Sequence, residues 1–198
     1  MMLSLLYPPV SVPFLPRPTA ADHLSEAVPE TGGEMLPVVD ETGVVTAEAP
    51  RSYCHKAGLL HPVVHLHLIN RYGDLFLQKR SLQKECFPGR WDTAVGGHVG
   101  FGESLEAALF RESSEELDFI SYNPITLQSY IYEGNGEKEW VAVYAAVGNF
   151  HLDPHNDEVS EGKWWKMQDI EDNLGKSVFT PIFEQEFGKI RSSLEALL

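Results

Sequence analysis

The chain has 198 residues, a formal net charge of −14, and 43% hydrophobic beside 22% charged residues, the make-up of a soluble globular protein long enough to bury a real core. So acidic a balance argues against a nucleic-acid polymer or an anionic membrane as partner, since both demand basic surfaces. It leaves room for a small phosphorylated molecule, because a bound cation and a few local Lys or Arg invert the field within one cleft.

Residues 1–34, rich in Pro, Ala and Glu and without a period, read as a Pro-rich disordered tail, and 35–198 as the domain. The opening residues lack a basic start and are broken by prolines, so no signal peptide is expected. No apolar run approaches the roughly 20 residues that span a bilayer. The cytoplasm is the expected location, and the lone Cys54 and Cys86 are expected as thiols.

From residue 36 the pattern predicts a hairpin, 36–40 and 44–46 around Glu41-Thr42-Gly43. A polar connection follows over 50–60, then strands at 63–69 and 75–79 joined by a turn at 70–74. Residues 81–90 read as a loop carrying Pro88-Gly89, and 91–95 as a short strand leading into Gly96-Gly97. A helix is predicted over 104–117, strands over 125–132, 140–147 and 162–166, and a short helix over 168–174. Thr180-Pro181 opens a last helix, with Thr as N-cap and Pro at its first position. Strands dominate, so the domain is expected to be α/β (α+β), a mixed sheet with helices packed on it.

The 104–117 helix carries the chemistry. On a helical wheel Leu105, Ala108, Leu109, Glu112 and Glu116 share one sector, with Glu115 at its edge. The inward stripe thus turns from apolar to carboxylate halfway along, whereas a merely solvated acidic face would lie opposite it. Glu112, Glu115 and Glu116 stand at i, i+3 and i+4. Like charges facing inward call for a cation among them, and Mg²⁺ or Mn²⁺ suits an oxygen ligand set shared with phosphate. The glycine-rich loop 96–102 before the helix offers free N–H groups to a phosphate.

Gly97, Glu103, Arg111, Glu112, Glu115, Glu116 and Phe119 fall in register with the Nudix box, and the chain is identified as a member of that superfamily. Ser113 stands where the box has an aliphatic residue and Asp118 where it has its last glycine. The resemblance implies an α/β/α sandwich, hydrolysis of a diphosphate bond in a small nucleoside diphosphate-like molecule, and metal held by Glu112, Glu115 and Glu116. It makes Glu103 and Arg111 a structural pair beneath the loop and lets Gly97 meet the substrate. The general base is Glu112 or a later glutamate, Glu158 or Glu161.

Within the superfamily the chain looks most like the branch containing isopentenyl diphosphate isomerase. By that likeness His55, His61, His98, Glu137 and Glu139 form a second metal site, and Arg51, Arg80 and Lys84 hold the diphosphate. The isomerases, however, carry a catalytic Cys where this chain has Gly96, and they lack part of the glutamate triplet that this chain keeps. Both departures favour hydrolysis over isomerisation. The complete triplet also favours hydrolysis over a non-catalytic nucleotide-binding module, which often loses it. Oligomeric state stays open, a homodimer included.

Overall fold

The structure, a computed structural model, describes residues 33–152, 154 and 156–198; the expected tail, apart from its last two residues, lies outside them. Glu34 belongs to the folded frame, its carbonyl accepting the Arg51 N–H at 2.8 Å and its carboxylate pairing with the Arg51 guanidinium at 3.1 Å.

The hairpin stands as expected, with β1 (Met35–Val39) and β2 (Val45–Pro50) antiparallel. Asp40 holds the turn by accepting the Thr42 and Val44 N–H groups. The 50–60 connection is not a plain loop, because it contains α1 (Arg51–Ala57), stopped by Gly58 in the left-handed region at φ 62°. Two turns with no side-chain cap leave too little periodicity to read. Leu36, Ala49 and Cys54 give this unit a small core of its own.

The main sheet has seven strands: β3 (His61–Ile69), β4 (Leu75–Arg80), β5 (Trp91–Asp92), β6 (Val95–His98), β7 (Ile125–Gly134), β8 (Glu137–Val147) and β9 (Val159–Trp165). It is mixed. β3 runs parallel to β8 from His61↔Glu139 to Ile69↔Val147, while the other pairings are antiparallel. β3 is buried along its whole length, so its two alternating faces feed two cores.

On one side Val64, Leu66 and Leu68 pack with Ala108, Leu109 and Leu117 of α2 (Leu105–Leu117). On the other, Val63 and Ile69 pack with Ile170 of α3 (Met167–Asn173) and Phe183, Phe187, Ile190 and Leu194 of α4 (Pro181–Glu195). The molecule is therefore the expected α/β/α sandwich. Trp164 joins the first core and Trp165 the second, as neighbours on a strand must.

Thr180 caps α4 as expected, accepting the Phe183 N–H at 3.3 Å, and Ser104 caps α2 by accepting that of Ala107 at 3.1 Å. The two departures from the box motif are absorbed locally. Asp118 ends α2 in the left-handed region at φ 49°. The buried Ser113 hydroxyl donates to the Leu109 carbonyl and meets the Tyr122 hydroxyl, each at 2.7 Å.

The expected 91–95 strand and glycine loop are divided differently. β5 ends at Asp92, and Gly96 and Gly97 lie inside β6, paired with His65 and Val64. Glycine inside a strand marks close approach of another group, and here each glycine faces a different one.

Candidate active site

One cleft of about 900 Å³ opens at the end of the sheet where β6 meets α1, α2 and the β7–β8 turn, a size that suits a small-molecule ligand. All three box glutamates line it. Glu116 is held most firmly. It is buried, and one carboxylate oxygen accepts from Gln78 Nε2 at 2.9 Å and from the Gly96 N–H at 3.1 Å. Burial pushes its pKa up to about 8 against the pull of those bonds. Glu112 lies directly against Gly97, where any Cβ would collide with its carboxylate. In the free protein, then, Gly97 makes room for Glu112. Glu115 reaches solvent.

Glu103 and Arg111 form the expected pair, Arg111 donating Nε to one Glu103 oxygen at 3.0 Å and Nη2 to the other at 2.9 Å. Arg111 also donates to the His98 carbonyl at 2.8 Å and to Glu112 at 2.6 Å. The pair thus ties the 98–103 loop to α2 and aims Glu112 at β6. Glu103 completes the tie by accepting the Gly100 N–H at 3.0 Å.

Of the two later glutamates only Glu158 lines the cleft. Glu161 does not. It sits in β9 opposite Lys79, pairs with that side chain at 3.5 Å and is turned to solvent, away from the other candidates Glu112 and Glu158. Arg51, Arg80 and Lys84 all line the cleft. Without ligand they rest on local partners: Glu34, the Cys86 carbonyl and Asp92, and Glu158.

The five residues named for a second site converge from four elements, α1, β3, β6 and β8. The His55, His61 and His98 rings stand in a triangle with centroids 5.1 to 5.2 Å apart. Ligand atoms of these three, and separately of His61, Glu137 and Glu139, lie within 4.8 Å of one another. Nε2 of each histidine and Oε2 of Glu137 are buried without a hydrogen-bond partner among the described residues. Two of these histidines and Glu137 are fixed by their other atoms: His61 Nδ1 with the Leu59 carbonyl at 2.8 Å, and His55 Nδ1 with Glu137 Oε1 at 2.8 Å. Polar atoms this deep are rarely left unpaired. Rings fixed at Nδ1 with Nε2 bare are what a cation needs. Burial lowers the pKa of His98 to about 2 and depresses that of His61, so these rings are neutral, as ligands must be. The donor set fits a divalent metal.

A further network was not foreseen. Glu186 of α4, fully buried, accepts from His65 Nδ1 at 2.9 Å, His67 Nε2 at 2.6 Å and the Tyr130 hydroxyl at 2.8 Å. Its signal was present: Glu186 interrupts the apolar stripe of Phe183, Phe187, Ile190 and Leu194, just as Glu112 and Glu116 interrupt theirs. Burial alone would lower the pKa of His65, but the Glu186 carboxylate raises it to about 9. Burial alone would raise that of Glu186, but His65 and His67 hold it well below the carboxylate range.

The signs fix a pH window. A histidine raised above its ordinary 6.5 gives its full stability below that pH and loses it as pH rises through about 9. A carboxylate lowered from 4.5 contributes above that value and fails only in strong acid. The melting temperature of the wild type is therefore expected to decline from pH 6.5 to beyond 9, while Glu186→Gln melts lower and declines less steeply across that range. Parallel declines in the two proteins would remove this pair as the source.

Comparison with known proteins places the geometry. Residues 59–183 match the NUDIX domain. The chain is 32% identical over 161 residues to an uncharacterized Nudix hydrolase of Streptomyces coelicolor, covering 80% of this chain and 89% of that protein. It is 33% identical over 137 residues to isopentenyl-diphosphate delta-isomerase 2 of Photorhabdus laumondii, covering 66% and 76%. A crystal structure from Deinococcus radiodurans superposes with a TM-score of 0.63 at 25% identity, covering 74% of this chain and 92% of that one.

Proposed function

The chain belongs to the NUDIX domain family as a Nudix hydrolase, and on that premise we propose that it cleaves the phosphoanhydride bond of a nucleoside diphosphate linked to a second group, with Mg²⁺ or Mn²⁺ held by Glu112, Glu115 and Glu116. The observation that carries this reading is the convergence of those carboxylates with Arg51, Arg80 and Lys84 on one cleft. Acidic side chains outnumber basic ones in its lining, so a diphosphate enters only with divalent cations as company.

When bound, the metal neutralises phosphate charge and lowers the pKa of a coordinated water. The chain's own residues do the rest. Gly96 and Gln78 orient Glu116, and Arg111 orients Glu112. Arg80 and Lys84 exchange their local partners for phosphate oxygens. Glu112, whose pKa is raised by burial against the opposing pull of Arg111, accepts a proton from the attacking water, with Glu158 as the alternative base. No helix among the described residues is long and apolar enough to cross a membrane, and the expected substrate is a small molecule.

Phosphate release from a panel of diphosphate compounds, with coupled phosphatase and with Mg²⁺, Mn²⁺ or EDTA, tests the proposal. Metal-dependent release from any member supports it, and silence across the panel would end it.

The histidine–glutamate cluster favours a second reading, isomerisation of isopentenyl diphosphate, which the Photorhabdus relative's name also suggests. Gly96 opposes it, since the position offers no thiol. A dimethylallyl diphosphate peak after incubation with isopentenyl diphosphate would establish it. The cluster itself makes a separate prediction. After dialysis against Mn²⁺, His98→Asn should retain about one equivalent less than the wild type, whereas loss of metal in Glu116→Gln alone would mean the histidines bind none.

A further inference from the structure

The proposed hydrolysis leaves one side of the cleft floor without a task. Gly96 and His65 face each other across β6 and β3, and a Cβ added at 96 would lie 3.3 Å and 3.4 Å from Cδ2 and Nε2 of His65. The Nε2 edge of that ring therefore borders the floor where Gly96 leaves it uncovered. His65, Gln78, Asp92, Thr93, Glu139 and Thr180 line this end of the cleft. The His65 side chain is 8% exposed, and its hydrogen bond to Glu186 is made through Nδ1, leaving Nε2 without a partner among the described residues.

Geometry also decides where the positive charge of the network sits. A fully buried carboxylate accepting three donors needs a compensating charge. His67 already spends Nε2 on Glu186, and its Nδ1 is buried with no partner among the described residues. Tyr130 stays neutral. His65 alone has its free nitrogen at the cleft, so the charge resides on His65 and Nε2 carries a proton with no acceptor.

We infer that His65 Nε2–H is a substrate-binding donor that takes an oxygen of the polar group joined to the diphosphate, such as a ribose hydroxyl, and so selects a nucleoside diphosphate sugar over a hydrocarbon diphosphate. The inference rests on the hydrolase reading and adds the substrate class. A hydrocarbon tail would leave the imidazolium, Asp92 and Thr180 facing an apolar surface, and a site built of buried polar groups rejects a ligand that cannot pair with them. Gly96 keeps the approach open, since any side chain there would cover Nε2.

The test is calorimetric binding of two probes, ADP-ribose and isopentenyl diphosphate, to the full chain in Ca²⁺. His65→Leu should weaken ADP-ribose about 10- to 100-fold, the worth of a charged hydrogen bond, and leave isopentenyl diphosphate within about twofold. Because His65→Leu strands the Glu186 carboxylate and can fail to fold, Gly96→Ala is the second variant. It places a methyl group before Nε2, asks of the ring only a slight shift that keeps the Nδ1 bond to Glu186, and should produce the same selective loss. Unchanged ADP-ribose binding in both variants, equal weakening of both probes, or a wild type that binds ADP-ribose no better than isopentenyl diphosphate would overturn the inference. Phosphate release by the wild type reports on hydrolysis separately. Selective binding without release would keep the donor and discard the hydrolase.

Discussion

Glu116→Gln should abolish metal-dependent turnover, by on the order of 10³-fold or more, the scale of losing a principal electrostatic stabiliser, while leaving the apo-protein folded. The two halves follow from the same environment. Glu116 is buried between Gln78 and the Gly96 N–H, and burial raises its pKa to about 8. Near neutral pH without metal it therefore carries a proton, and glutamine reproduces its shape and neutrality. For a carboxylate whose folded pKa lies above its ordinary 4.5, the unfolded chain ionises first, so stability falls as pH rises from 4.5 to the folded value and levels off above it. The variant's melting temperature should accordingly match the wild type near pH 4.5 and exceed it at pH 7 and above. What glutamine cannot supply is the charge. The rise in melting temperature that Mg²⁺ or Mn²⁺ gives the wild type, a direct measure of binding to the folded state, should shrink to whatever part the histidine cluster supplies. Full activity in Glu116→Gln would sink the assignment of the triplet.

How much of this was legible in the sequence depended on whether the signal was local. Residues 104–117 announced themselves, because a carboxylate inside an apolar stripe violates the helix's own pattern and is visible in one window. Thr180 was legible for the same reason, answering a demand of the turn it sits in. The histidine cluster was named only through resemblance. His55, His61, His98, Glu137 and Glu139 come from separate elements and meet through the β3–β6 and β3–β8 registers, which no local pattern encodes. The helix holding His55 was itself missed. Glu161 failed by register too: opposite Lys79 it faces solvent, whereas Glu158, just before β9, lines the cleft. Glu186 is the instructive omission. The stripe test that found Glu116 would have found it in the last helix, but its histidine partners lie over 100 residues away, so the pattern marked the anomaly and not its purpose.

Gly97→Ala should be the most disruptive of the small substitutions, and the adjacent glycine supplies its control. Both residues sit in β6 and face opposite ways. At Gly96 a methyl group meets the edge of His65 at 3.3 Å, a contact the ring can relieve by a slight shift. At Gly97 it falls inside the Glu112 carboxylate, which cannot retreat freely, because Arg111 grips it while being held in turn by Glu103 and the His98 carbonyl. Either β6 or the carboxylate must move. Overpacking of this kind costs about 1–3 kcal/mol, and displacing Glu112 from the cleft should remove most turnover as well. A double substitution separates the two effects. If the collision is with Glu112, Gly97→Ala combined with Glu112→Ala should recover most of the stability lost by Gly97→Ala alone, giving a coupling energy well outside additivity, yet stay inactive because the carboxylate is gone. Simple addition of the two single losses would place the requirement for glycine in the backbone of β6 and leave Gly97 free for the substrate contact that the sequence suggested.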